Sequence, residues 1–172
     1  MKISKDLILL LKKVLLHDNI LLSIYTYVNK DYIYKILETN DSNNKLVITS
    51  YNNQTNKDLK SNVFYLDTFI CNNHSTANEI ISCYRPIISY YNKKYYYGQL
   101  SYYFIENLNM QKELSADNLD SYYNLVKKYI NSEEEYNKMF QKFKDNLVKS
   151  KMLDNKQFAK EYYKAINSIK LN

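Results

Sequence analysis

Cys71 and His74 stand three apart in the run Cys71-Asn72-Asn73-His74, with Cys83 further along, and these types can ligate a metal or form a nucleophile. A structural zinc needs four ligands, so the fourth would have to be Asp67, Glu79 or His17 brought in from elsewhere. A thiolate forms readily beside an imidazolium, which makes Cys71 and His74 a conceivable nucleophile pair. The sequence supplies no orienting third group. His17 and His74 are the only histidines, so H-E-x-x-H sites are absent, and no Cys-x-x-Cys pair exists. The simpler reading is a half-buried cysteine at a strand end beside a loop histidine, and neither metal nor cofactor is expected. Glu133, Glu134 and Glu135 lie where they oppose a helix dipole, which explains them without acid–base chemistry.

Gly98 is the one glycine. Phosphate loops, dinucleotide fingerprints and nucleophile elbows need glycine for close backbone approach or positive φ, so these mechanisms are excluded. Phe, Tyr, Met, Ile, Asn and Lys make up more than half of the chain, whereas Gly, Ala, Arg and Pro together give seven residues. The first set has AT-rich codons and the second GC-rich ones. A very AT-rich genome is the simplest cause, of the kind carried by some large DNA viruses, linear plasmids or protist parasites. Against that background Arg85, Pro86 and Gly98 all fall between 85 and 98. Arginine offers a planar fork, proline fixes φ and glycine permits close approach, so residues 83–104 become the segment most worth mutating.

Tyrosines cluster twice, at Tyr25, Tyr27, Tyr32 and Tyr34, and at Tyr90, Tyr91, Tyr95, Tyr96, Tyr97, Tyr102 and Tyr103 around Lys93 and Lys94. On a strand, Tyr25 and Tyr27 share a face, as do Tyr95 and Tyr97. Aromatic rings among lysines hold single-stranded nucleic acid by stacking bases and neutralising phosphates. The expected ligand-contacting residues are therefore Tyr25, Tyr27, Arg85, Tyr91, Lys93, Lys94, Tyr95, Tyr96 and Tyr97. The alternative is a protein-interaction module, a viral or parasite effector that binds a host protein, because tyrosine and arginine are enriched at interface hot spots. Lysine stripes at Lys156, Lys160 and Lys164, and at Lys138, Lys142 and Lys149, read as solvated helix faces.

The elements that must carry these residues follow from periodicity. Leu7, Leu10, Leu11, Val14 and Leu15 have helical spacing behind Ser4, which predicts a helix over 4–16. From Ile20 the period becomes two, and Tyr32–Thr39, Lys45–Tyr51 and Asn62–Ile70 read as further strands separated by short turn-rich runs. Short separators imply an antiparallel meander. Thr76 and Glu79 suggest a capping box for a short helix ending before Pro86. Ile87–Tyr91 and Tyr95–Phe104 read as a hairpin, with helix as the competing assignment for 87–104. Three stripes then predict three helices: Leu119 to Ile130, Tyr136 to Leu147 and Phe158 to Ile169. Ser132 with Glu135 caps the second of these, and Asp154 or Asn155 caps the third.

The 172 residues fit one domain, read as α+β: an N-terminal helix, an antiparallel meander of four to six strands over 1–116, and three helices over 117–172 packed on the sheet. The net charge of +6 favours an anionic partner, but it is spread evenly along the chain. The run Leu7 to Leu11 is too short for a membrane span, Lys12 and Lys13 interrupt it, and two cysteines suit a reducing compartment. An intracellular, non-enzymatic protein is expected.

Overall fold

The computed structural model describes residues 4–39, 45–50, 56–70, 74–91, 93–94 and 98–169. Its first helix, α1 (Lys5–Leu15), is the one predicted: the Ser4 hydroxyl accepts the Leu7 amide at 3.1 Å, and Leu7, Leu10, Leu11 and Val14 are buried. β1 (Leu22–Thr26) follows. Then the meander fails. Residues 32–39 are not a strand, because α2 (Lys30–Leu37) starts at Asn29, whose side chain accepts the Asp31 amide at 2.7 Å. Ile33 and Leu37, four apart, are its buried residues, a helical spacing that the alternating tyrosines Tyr32 and Tyr34 masked. With a helix between them, β1 and β2 (Leu46–Ser50) pair parallel, Leu22 opposite Leu46 through Thr26 opposite Ser50.

The second sheet is parallel for the same reason. After α3 (Asn56–Ser61) come β3 (Tyr65–Leu66), α4 (His74–Ser82) and β4 (Ile87–Tyr90); α5 (Leu100–Asn107) and α6 (Gln111–Leu114) then lead to β5 (Ser115–Ala116). β4 is central, pairing Ile87 with Tyr65 and Ser89 with Ser115. Each connection contains a helix, as a parallel crossover requires. Ile87, Ile88 and Ser89 are all buried, since a strand covered on both faces reads as a continuous run rather than an alternation. Among the described residues there are nine helices and five strands, and every strand pair is parallel. The antiparallel meander is therefore corrected to a mostly helical chain with two short parallel sheets.

The C-terminal helices stand where the stripes put them: α7 (Leu119–Asn131), α8 (Glu133–Ser150) and α9 (Asn155–Ser168). Ser132 accepts the Glu135 amide at 3.2 Å, and Asp154 accepts those of Lys156 and Gln157. α7 buries Tyr122, Val126 and Tyr129, and α8 buries Met139, Phe143 and Leu147. α7 packs against β4 and β5, α8 packs against α7 instead of the sheet, and α9 buries nothing, which corrects the expectation that all three helices cover the sheet. No described helix is long and apolar enough to cross a membrane.

The scarcity of glycine shows at helix ends. Glu38, Tyr84, Asn109 and Lys151 adopt positive φ without being glycine, which costs a Cβ-bearing residue about 1 kcal/mol. Lys151→Gly, at φ 56° beyond α8, is expected to stabilise the fold by about 0.5–1 kcal/mol in urea titration.

Candidate functional site

Chain direction in β3, β4 and β5 gathers several of the sequence-predicted residues at one place. In open parallel sheets the loops leaving the carboxyl ends of the strands form the binding crevice. Here those loops carry Asp67 and Thr68 after β3, Tyr91, Lys93 and Lys94 after β4, and Asp117 after β5.

Asp67 is fully buried. Its backbone extends the ladder by donating to the Ile88 carbonyl at 2.9 Å, and its carboxylate accepts the Thr68 amide at 2.9 Å and the Ser89 hydroxyl at 3.1 Å. Tyr122 of α7 donates its hydroxyl to the same Ile88 carbonyl at 2.9 Å. Phe69 then stacks between Tyr90 at 4.6 Å and the edge of Tyr122 at 5.1 Å. Burial raises the Tyr122 phenol well above its ordinary range, with the Asp67 carboxylate adding to the shift. The Tyr90 phenol also rises, first from burial and then from Asp6 and Asp117.

Beside this floor, Tyr91 lies face to face with Tyr102 of α5 at 3.9 Å, and the Lys93 ammonium sits 5.8 Å from the Tyr91 ring. Tyr103 donates to Gln99 at 3.0 Å, and Gln99 donates to the Lys93 carbonyl at 3.3 Å, which ties the turn to the helix. Gln99 occupies the N-cap of α5 without a side-chain cap bond. Gly98 is buried just before it, and the fully buried Ser101 hydroxyl has no hydrogen-bond partner.

The other predicted residues are dispersed. Arg85 stands at the opposite end of β4, where its guanidinium donates to the Lys60 carbonyl at the end of α3 and lies 5.8 Å from the Phe140 ring. The sequence cluster of Arg85, Pro86 and Gly98 is thus split by the length of a strand. Tyr25 belongs to the first sheet, its hydroxyl 3.5 Å from the Asn62 amide, and Tyr27 lies just beyond β1, 72% exposed. Tyr95, Tyr96, Tyr97 and Cys71 lie outside the described residues. Among the described residues no group of three metal-ligating side chains occurs, and Cys83 is a free, half-buried thiol. Among the described residues the expected tyrosine-bearing antiparallel face is absent: Tyr32 and Tyr34 are on α2, Tyr102 and Tyr103 on α5. Nucleic-acid binding finds no support.

Sequence reasoning missed Ser89, Gln99 and Tyr122 as parts of this edge. Parallel pairing would have found them, since it alone says which strand ends converge.

No family model matches the chain, and no curated protein matches it. Among solved structures it resembles a mutant O-GlcNAc transferase of Thermobaculum terrenum, with a TM-score of 0.76 at 17% identity over 96% of this chain. The likeness covers 33% of that protein, so this chain spans about a third of its length. What the two share is a fold.

Proposed function

We propose that this chain is a protein-interaction module whose docking face includes α9. The observation that carries the reading is a fourteen-residue helix with no buried residue. Phe158, Tyr162 and Ile166 recur every four residues, with Ile169 beside them, and all four are exposed. Lys156, Lys160 and Lys164 occupy the other side. Such a stripe is the pattern of a helix that inserts its apolar face into a partner's groove. Because α9 supports nothing in the core, Tyr162→Glu with Ile166→Glu is expected to leave the melting temperature within about 2 °C. The same variant is expected to reduce partner recovery about tenfold or more in matched affinity captures, as loss of two anchors implies. Equal recovery by variant and wild type would remove α9 from the docking face.

A second reading is favoured by the likeness to the transferase: a module of a sugar-transferring protein that holds an activated N-acetylglucosamine at the carboxyl edge of β3–β5. α4 and α5 both begin at that edge, and helix N-termini favour the phosphates of such donors. N-acetylglucosamine 1-phosphate added to the chain is expected to shift the backbone amide resonances of Ser75, Thr76 and Ser101 in NMR. Unchanged spectra at millimolar sugar phosphate would exclude this reading.

A further inference from the structure

Two strand edges look into one cavity. β1 is covered only by β2, and β3 only by β4, so each keeps an open edge among the described residues. In a parallel ladder, alternate residues turn their N–H and C=O groups to opposite sides. Leu22 donates to the Lys45 carbonyl beside β2, so Ile24 and Thr26 also turn toward β2 while Ser23 and Tyr25 turn away. Tyr65 and Asp67 donate to Pro86 and Ile88, which leaves Phe64 and Leu66 facing the other way. Ser23, Tyr25, Phe64 and Leu66 all line a single cavity of about 1330 Å³.

Three properties define what that cavity accepts. Its wall is mainly apolar, with the partly exposed Ile8 of α1, Ile36 of α2 and Ile130 of α7 among the lining residues. Its volume exceeds the roughly 300–1,000 Å³ of small-molecule sites, so there is room for a peptide. Its two long sides present unpaired backbone donors and acceptors, which is the template an extended strand completes.

We propose that this cavity is a strand-receiving slot. It takes an extended apolar segment of another polypeptide, about five residues long to match β1, inserted parallel to β1 and hydrogen-bonded to β1 and β3. Insertion joins the two sheets in the order β2, β1, inserted strand, β3, β4, β5. That is the doubly wound arrangement, in which the central strand is the most enclosed. The slot is a different surface from α9, none of whose residues line it, so it goes beyond the docking face proposed above.

The probe is an acetylated and amidated peptide carrying Val-Ile-Val-Thr-Val between lysines, titrated against the full chain and followed by anisotropy and amide hydrogen exchange. The amides of Ser23, Tyr25 and Leu66 are expected to slow about tenfold or more on binding, those of Leu22 and Ile24 much less. Ser23→Pro removes an N–H from the open edge alone, a position where strands tolerate proline, and is expected to weaken the peptide about fivefold or more. The same peptide N-methylated at every second residue is expected not to bind, a comparison that holds even if Ser23→Pro does not fold. Three results overturn the slot: protection of Ser23, Tyr25 and Leu66 without peptide, no protection at millimolar peptide, or equal binding of the N-methylated peptide. The Tyr162→Glu, Ile166→Glu variant is expected to bind the peptide like wild type, so failure at one surface is separable from failure at the other.

Discussion

Tyr122→Ala is expected to destabilise the chain by about 3–5 kcal/mol, the range for emptying a large aromatic site, and Tyr122→Phe by only about 1 kcal/mol. The difference separates two contributions of one side chain. The ring is fully buried and meets Phe69 at 5.1 Å and Tyr90 at 6.3 Å, so its removal opens a void where α7, β4 and the end of β3 converge. The hydroxyl donates to the Ile88 carbonyl, but that carbonyl also accepts the Asp67 amide at 2.9 Å and keeps a partner in the phenylalanine variant. Urea midpoints with an unchanged m-value give both numbers. If alanine costs no more than phenylalanine, the ring is not the element that locks α7 onto the central strand. The same comparison bears on the candidate site, because Tyr122 and Asp67 fix the carboxyl end of β4 from which Tyr91 and Lys93 project.

Local signals in the sequence were sufficient where one helix face carried all the information. α1, α7 and α8 lie where Leu7 to Val14, Tyr122 to Tyr129 and Met139 to Leu147 place them, and the Ser132 and Asp154 caps are made. Strand direction was not legible. β3 and β5 contribute two residues each to the ladder, too few for any period to register, and α2 mimics alternation through Tyr32, Tyr34 and Ile36. Once α2 is taken for a strand, the helix-containing crossovers look like hairpin turns and the whole sheet inverts. The candidate site suffered in consequence. Composition points to Tyr91 and Lys93 as candidates, whereas their grouping with Ser89 and Tyr122 depends on parallel order. Arg85 was singled out by rarity, and its contacts hold the end of α3 instead. α9 shows the remaining limit: its stripe specifies a helix with one apolar face, but no periodicity names what covers that face.

Stability is expected to fall steeply as pH rises above about 10, because the fold holds phenols protonated that the unfolded chain releases at their ordinary value. Burial raises Tyr122 well above that value, with Asp67 adding repulsion. Tyr65 is pushed up to about 12, by burial first, although its hydrogen bond from Asn62 opposes the shift. Burial and then the Glu113 carboxylate raise Tyr129. A raised folded value means the native state binds more protons than the unfolded state between the two values. The sign follows: the contribution is complete below about pH 10 and is lost as pH climbs through the folded values. For a phenol as enclosed as Tyr122 the slope approaches about 1.4 kcal/mol per pH unit, and the half-buried Tyr65 adds less. Thermal melts at successive pH values, with tyrosinate absorbance recorded in parallel, check both parts. Ionisation of the buried phenols should appear only with unfolding, and Tyr122→Phe should flatten the alkaline limb. A stability profile that stays level from about pH 9.5 to 11.5 would contradict the enclosure of these three rings. Since Tyr65 lies on β3 and lines the cavity between the sheets, its titration also reports on the slot. An inserted strand that buries it further should move its ionisation to still higher pH.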